Sequence, residues 1–269
     1  MRTSRFFASA ASLATAVAMM MPATSLAAVN APSAVFSPGD LIKGKSFSSV
    51  YYYAPNGRRY VFPNEKTYFT WYKDFSGVKT ISDAQLGVIP LGGNVTYKPG
   101  SRMLKVTTDP RTYVVDQGGI LRHVGSEQLA NTLYGLNWQD AIHDLPDPFF
   151  VNYKIGTPIQ TASDFKPADV MTATPTITQD KQFNETAVSV SIGDMATVGF
   201  VPTTLTVKKG TTITWTNRDT TDHTVTGNGW TSGTLKAGDT YARKFDTAGS
   251  FDYHCDIHTV MQGTVNVVN

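Results

Sequence analysis

The stretch Phe251-Asp252-Tyr253-His254-Cys255-Asp256-Ile257-His258-Thr259-Val260-Met261 limits what this chain can fold into more than any other. Its first half alternates. Period-two alternation puts Phe251, Tyr253 and Cys255 on the buried face of a strand, with Asp252 and His254 facing outward. His258 and Met261 then fall on a following loop that can curl back over the cysteine. Cys255 is the only cysteine in the chain. A thiolate, an imidazole and a thioether this close together form a soft-ligand set, and His254, facing away, does not belong to it. A second imidazole has to come from elsewhere, and His223 in Thr221-Asp222-His223-Thr224-Val225 is the donor at hand.

The text around this stretch is all-β. Val188-Ser189-Val190-Ser191-Ile192, Leu205-Thr206-Val207, Thr211-Thr212-Ile213-Thr214-Trp215-Thr216-Asn217, Thr240-Tyr241-Ala242-Arg243-Lys244-Phe245 and Gly263-Thr264-Val265-Asn266-Val267-Val268 are short runs separated by turn residues. Such spacing predicts a Greek-key β-sandwich over residues 187–269. Ahead of it, residues 160–186 are rich in Thr, Ala, Pro, Asp and Gln and read as an extended linker.

Residues 38–159 repeat themselves. Leu41-Ile42-Lys43 is echoed by Met103-Leu104-Lys105, and Tyr51-Tyr52-Tyr53 by Thr112-Tyr113-Val114-Val115. The turn Asn56-Gly57 is echoed by Gly118-Gly119, and Val95 to Ser101 by Val151 to Thr157. The expectation is two tandem β-rich α+β units of about 60 residues each. Each has a hairpin and one short helix, from Glu65 and from Ser126, with Ser126 as N-cap. A helical turn at Ser82–Leu86 is added in the first. The aromatic residues Tyr51, Tyr52, Tyr53, Tyr60, Phe62, Tyr68, Phe69, Trp71 and Tyr72 read as core packing of small β units. The other reading is a glycan- or wall-binding platform. His123 and His143 have no partners at ligand spacing and read as structural.

The N-terminus predicts export. Arg2 and Arg5 precede an apolar run, Phe6 to Met21, and Ser25-Leu26-Ala27 offers small residues for cleavage of a signal peptide, residues 1–27. The rival is an uncleaved anchor, which Pro22 and the shortness of the run disfavour. The expected location is periplasmic, cell-surface or extracellular. The formal net charge of +2 and the absence of a basic run exclude nucleic acid as a natural partner.

Thiolate, thioether and imidazole together select copper, and a trigonal Cys/His/His site with a long axial Met is the blue-copper arrangement. Zinc structural sites use several Cys or His and no Met. A buried free cysteine among satisfied histidines would leave the spacing unexplained. Here the chain resembles the cupredoxins. The similarity runs from Phe200-Val201-Pro202 through Leu205 to Gly210, Trp215-Thr216-Asn217 and Asp222-His223, and on to Ala248 to Gly263. The ligand loop, with two residues between Cys and His and two between His and Met, is similar to that of amicyanin. The resemblance implies that His223, Cys255 and His258 are equatorial copper ligands and Met261 the weak axial one. Met195, a competing sulfur, reads as core or rim packing. The chain departs from the family at Ile257 and Thr259, where Pro is frequent, and at Thr224, where Asn is.

One cysteine excludes a binuclear dithiolate centre, and five histidines cannot build a trinuclear cluster. The expected function is therefore non-enzymatic: single-electron transfer through one type 1 copper. The resemblance implies a redox partner docking near His258, in an apolar patch with Ile257, Val260 and Trp230. The alternatives are copper delivery, and a cell-envelope binding protein, acting through residues 38–159, that carries an accessory redox domain.

Overall fold

The structure is a computed structural model that describes residues 35–269. The expected signal peptide, residues 1–27, lies outside the described residues. Among the described residues, no helix is long and apolar enough to cross a membrane.

The N-terminal region holds two five-stranded sheets. The first contains Leu41–Gly44 (β1), Tyr51–Tyr53 (β2), Arg59–Val61 (β3), Val78–Ile81 (β4) and Leu91–Asn94 (β5), in the order β4-β1-β2-β3-β5. The second contains Met103–Val106 (β6), Thr112–Asp116 (β7), Ile120–His123 (β8), Ile142–Leu145 (β9) and Lys154–Ile155 (β10), in the order β9-β6-β7-β8-β10. In each, three strands form an antiparallel meander, and the outer two strands add parallel to its first and third members. A helix follows each meander: Glu65–Trp71 (α1), capped by Asn64, and Glu127–Tyr134 (α3), capped by Ser126, whose hydroxyl accepts from the Leu129 N–H as expected. The predicted turn at Ser82 is the helix Asp83–Val88 (α2), closed by a reciprocal Ser82–Gln85 capping box.

The fourth echo in the sequence does not mark equivalent strands. Residues 91–94 pair with β3, while residues 154–155 pair with β8, so Val95–Ser101 and Val151–Thr157 are out of step. The aromatic residues mostly fill core. Tyr52, Tyr60, Phe62 and Tyr68 are buried with Leu41, Val95 and Ile177. Phe69 is exposed.

Residues 160–186 are not extended. They form Pro167–Ala173 (α4) and Ile177–Asp180 (α5), and single apolar residues plug both N-terminal cores. Phe165 is buried with Met103 and Val114, and Ile177 with Leu41 and Tyr52. The Tyr52 and Thr178 hydroxyls share a 2.5 Å hydrogen bond, and the Asp180 carboxylate accepts from the Gly118 N–H at 2.8 Å. A composition of Thr, Pro and Gln reads as linker because it lacks periodicity. Widely spaced anchors, each held by a different neighbour, leave no periodic signal.

The C-terminal region has two more sheets. One contains Ala187–Ile192 (β11), Phe200–Val201 (β12), Thr211–Asn217 (β14) and Thr240–Phe245 (β17), in the order β12-β11-β14-β17. The other contains Thr204–Lys208 (β13), Thr226–Gly227 (β15), Trp230–Thr231 (β16), Gly249–His254 (β18) and Gln262–Val268 (β19), in the order β13-β19-β18-β15-β16. They enclose one core: Val188, Val190, Ile213, Trp215 and Phe245 come from the first, and Leu205, Val207, Tyr253, Val265 and Val267 from the second. β14 alternates buried and half-buried along its length, as its Thr/apolar pattern demands. Trp215 is fully buried, edge-on to Tyr253 at 5.3 Å. Tyr253 in turn lies across Gly263 on β19, where a Cβ would sit 2.3 Å from its ring, so only glycine fits.

The first N-terminal sheet is joined to this core. The Pro55 carbonyl accepts from the Ser189 N–H, and the Tyr53 hydroxyl donates to the Ser189 carbonyl. Ile42, Tyr53, Ile81 and Leu86 cluster with Val201 of β12.

Candidate metal centre

Three separately anchored pieces of chain meet at one end of the C-terminal sheets. The first is the end of β18. Alternation carries through it: Tyr253 and Cys255 are buried, Asp252 and His254 exposed. His254 faces away and pairs with Asp256 at 3.0 Å. The second is the loop that follows. The Cys255 N–H donates to the Met261 carbonyl, and the Met261 N–H to the His258 carbonyl. These two bonds fold the loop back, so that Met261 returns, buried, beside the strand it left.

The third piece carries His223, which is fully buried. Its N–H and C=O both bond to Leu235. Asn217, at the end of β14, donates from its amide to the carbonyls of Thr221 and Leu235, so both sides of this loop hang from one buried side chain. The imidazole is oriented from behind. Nε2 lies 3.0 Å from Asp219 Oδ2 and 3.2 Å from Thr221 Oγ1. Hydrogen bonds, first from the Thr221 hydroxyl and also from His223, hold the Asp219 carboxyl down at about 2, so it is ionised and accepts. Nε2 therefore carries the proton, and Nδ1 presents its lone pair toward Cys255.

The donor atoms converge. Cys255 Sγ is 3.9 Å from His223 Nδ1 and 3.7 Å from His258 Nδ1, and the two nitrogens are 3.1 Å apart. Bonds of about 2.0–2.3 Å from a common centre would spread three ligand atoms by roughly these distances. Two imidazole nitrogens facing each other this closely are relieved by a cation between them. His223, Cys255 and His258 are the one such cluster among the described residues. Thr224 ties the pieces together. Its N–H points at Cys255 Sγ at 3.3 Å, and its hydroxyl accepts from the Asp256 N–H at 2.7 Å.

His223, Cys255 and His258 are thus brought together as expected, with Met261 buried on the same loop. Met195 is 45% exposed, so it is not core packing. Ile257 and Val260 are exposed around His258. Trp230 differs from expectation. It stacks on Tyr241 at 6.0 Å under the Arg243 guanidinium and packs against the sandwich core. An indole on a two-residue edge strand gains more by covering that core than by facing solvent. His143 meets the Tyr97 hydroxyl at 3.2 Å, and burial, with Arg102 and Lys66 nearby, holds it below its ordinary pKa. His123 lies against Tyr113.

Sequence reasoning missed Asp219, Asn217 and the role of Thr224. The signal was there for two of them: Asn-x-Asp closing a strand, with the carboxylate four residues before a candidate ligand histidine.

A family model for the cupredoxin-like domain matches residues 170–267, beginning ahead of the boundary expected at 187. The chain is similar to plastocyanin of Scenedesmus fuscus, 32% identical over 96 residues, which cover 30% of this chain and 98% of that protein. It is similar to amicyanin of Paracoccus denitrificans, 34% identical over 90 residues, 31% of this chain and 69% of that protein. Among solved structures, a purple cupredoxin from Nitrosopumilus maritimus aligns at 28% identity and a TM-score of 0.28, over 30% of this chain and 98% of that one.

Proposed function

The chain belongs, through its C-terminal third, to the cupredoxin family, whose members hold one type 1 copper ion, and we propose that it carries single electrons through such a centre. The observation that carries this reading is the convergence of His223, Cys255 and His258 within 4.8 Å of one another, with the thiol fully buried. His223 and His258 would hold the ion through imidazole, Cys255 through its thiolate and Met261 through its thioether. When bound, copper supplies a one-electron couple.

The protein's own residues do the rest. Asp219 and Thr221 fix the His223 ring, Thr224 donates to the sulfur, and the backbone bonds of the ligand loop set His258 and Met261 relative to Cys255. A site held this way from several directions changes little between oxidation states, which favours transfer over substrate chemistry. It is not an enzyme in this reading. Water is kept from the thiol by the core of what reads as a Greek-key sandwich. His258 lies between exposed Ile257 and Val260, a small apolar surface suited to a weak redox encounter with a partner protein.

The N-terminal sheets read as two tandem copies of one unit within residues 38–159, which their common strand order and pairing directions support. Residues 160–186 join them to the cupredoxin domain, and contact with the cell envelope would fall to the units. The arginine-led apolar run of residues 1–27 supports export, to the periplasm, cell surface or outside the cell. Copper added to purified protein tests the function. An intense visible thiolate band with reversible voltammetry supports it. Copper lost on reduction would indicate delivery instead.

A further inference from the structure

The cupredoxin domain of this chain has a neighbour built into its own sequence, and one element of that neighbour reaches toward the ligand loop. The loop Gly193–Gly199, between β11 and β12, is tightly tied. The Asp194 carbonyl accepts from the Val198 and Gly199 N–H groups, Gly193 N–H bonds the Gly199 carbonyl, and the Asp194 carboxylate accepts from Ala196 and Thr197. A loop held by so many bonds moves as a unit. On one side its backbone borders Met261: a methyl added to Gly199 would come within van der Waals reach of Met261 Cγ, at 3.9 Å. On the other side it meets α2. A methyl on Gly193 would sit 3.0 Å from Val88 Cγ1 and 2.7 Å from Val198 Cγ1. Val88 and Val198 both pack on the cluster of Ile42, Tyr53, Ile81, Leu86 and Val201 that joins the first sheet to the cupredoxin core.

We infer that the first N-terminal unit acts on the metal centre: Val88 is a positioning residue that holds the Gly193–Gly199 loop against Met261. This rests on Met261 being a copper ligand in the function proposed above. Packed interiors transmit displacement rather than absorb it, because they have little free volume. A type 1 centre is sensitive at this position, since the weak axial ligand and its surroundings tune the reduction potential. The N-terminal units then do more than carry the domain. One of them sets how firmly Met261 is held.

The test uses the full-length protein with Val88→Ala, which removes the contact, and Gly193→Ala, whose methyl would press on both Val198 of the loop and Val88 of α2. Val115→Ala, in the core of the second sheet, is the control. Both interface variants should shift the reduction potential and the EPR symmetry of the copper-loaded protein away from wild type. Both should also speed amide exchange at Gly199 and Met261 in the copper-free protein. The control should lose stability and leave all three readouts in place. The inference is overturned if the two interface variants match wild type in potential, EPR and exchange, or if the control shifts them equally. A wild-type protein that forms no type 1 spectrum would instead overturn the metal reading. The exchange data would then still show whether α2 restrains the loop.

Discussion

The N-terminal sheets and the C-terminal pair are made of similar short strands, yet they use buried polar groups in opposite ways. In the N-terminal region several of them act as single fasteners. The Tyr52 hydroxyl meets Thr178, and the Asp180 carboxylate meets Gly118. Each joins one segment to one neighbour. At the end of the C-terminal sheets they act in layers: Asn217 holds the loop, Asp219 and Thr221 hold the His223 ring, and the ring points at Cys255. What separates a site from a core is this convergence of aimed donors from independently anchored loops, not the presence of histidine or aromatic residues. His143, with one hydroxyl partner and cations around it, shows the contrast.

The largest effect should come from Trp215→Ala, which empties the middle of the C-terminal core and should cost about 3–5 kcal/mol. Denaturant unfolding should show it, and copper binding should fail with it. Asp219→Ala should leave the fold intact and weaken copper binding by roughly 10–100-fold, the usual cost of losing a group that orients a ligand. Competitive titration against a chelator measures this. An unchanged affinity would mean that the layered orientation is ornamental.

Tyr52→Phe tests the fastener side. It should cost about 1 kcal/mol, seen as a lower denaturant midpoint, with no change in copper affinity. The smallest effect is expected at Asp180. Burial raises its carboxyl above the ordinary value, chiefly through desolvation. A carboxyl raised in the folded state costs nothing below its unfolded pKa of about 4, and costs progressively more as pH rises past it. Asp180→Asn keeps an acceptor for Gly118 and removes the charge. Its melting temperature should therefore exceed wild type at about pH 7 and converge with it near pH 4.

The ligand end was legible because its information is carried by residue identity at short spacing. A lone cysteine ending an alternating strand, with His and Met on the next loop, leaves few readings, and His254 drops out on parity alone. The first three echoes of the N-terminal region fall on the strands and turns of its two antiparallel meanders. Beyond that, β5 and β10 are recruited by backbone pairing, which leaves little trace in side chains, and the fourth echo slipped. Residues 160–186 were misread because their anchors, Phe165, Ile177 and Asp180, serve three different neighbours and share no period. Thr224 read as a departure from the family. Its N–H and hydroxyl nevertheless join the His223 loop to the Cys255 loop.

In the proposed function Cys255, held between two imidazoles, is a copper thiolate. The most direct test of this is the visible absorption spectrum of copper-loaded protein beside that of Cys255→Ser. An intense thiolate-to-copper band in the wild type, absent from the folded serine variant, is the predicted result. No such band in the wild type, or its survival in Cys255→Ser, would contradict it.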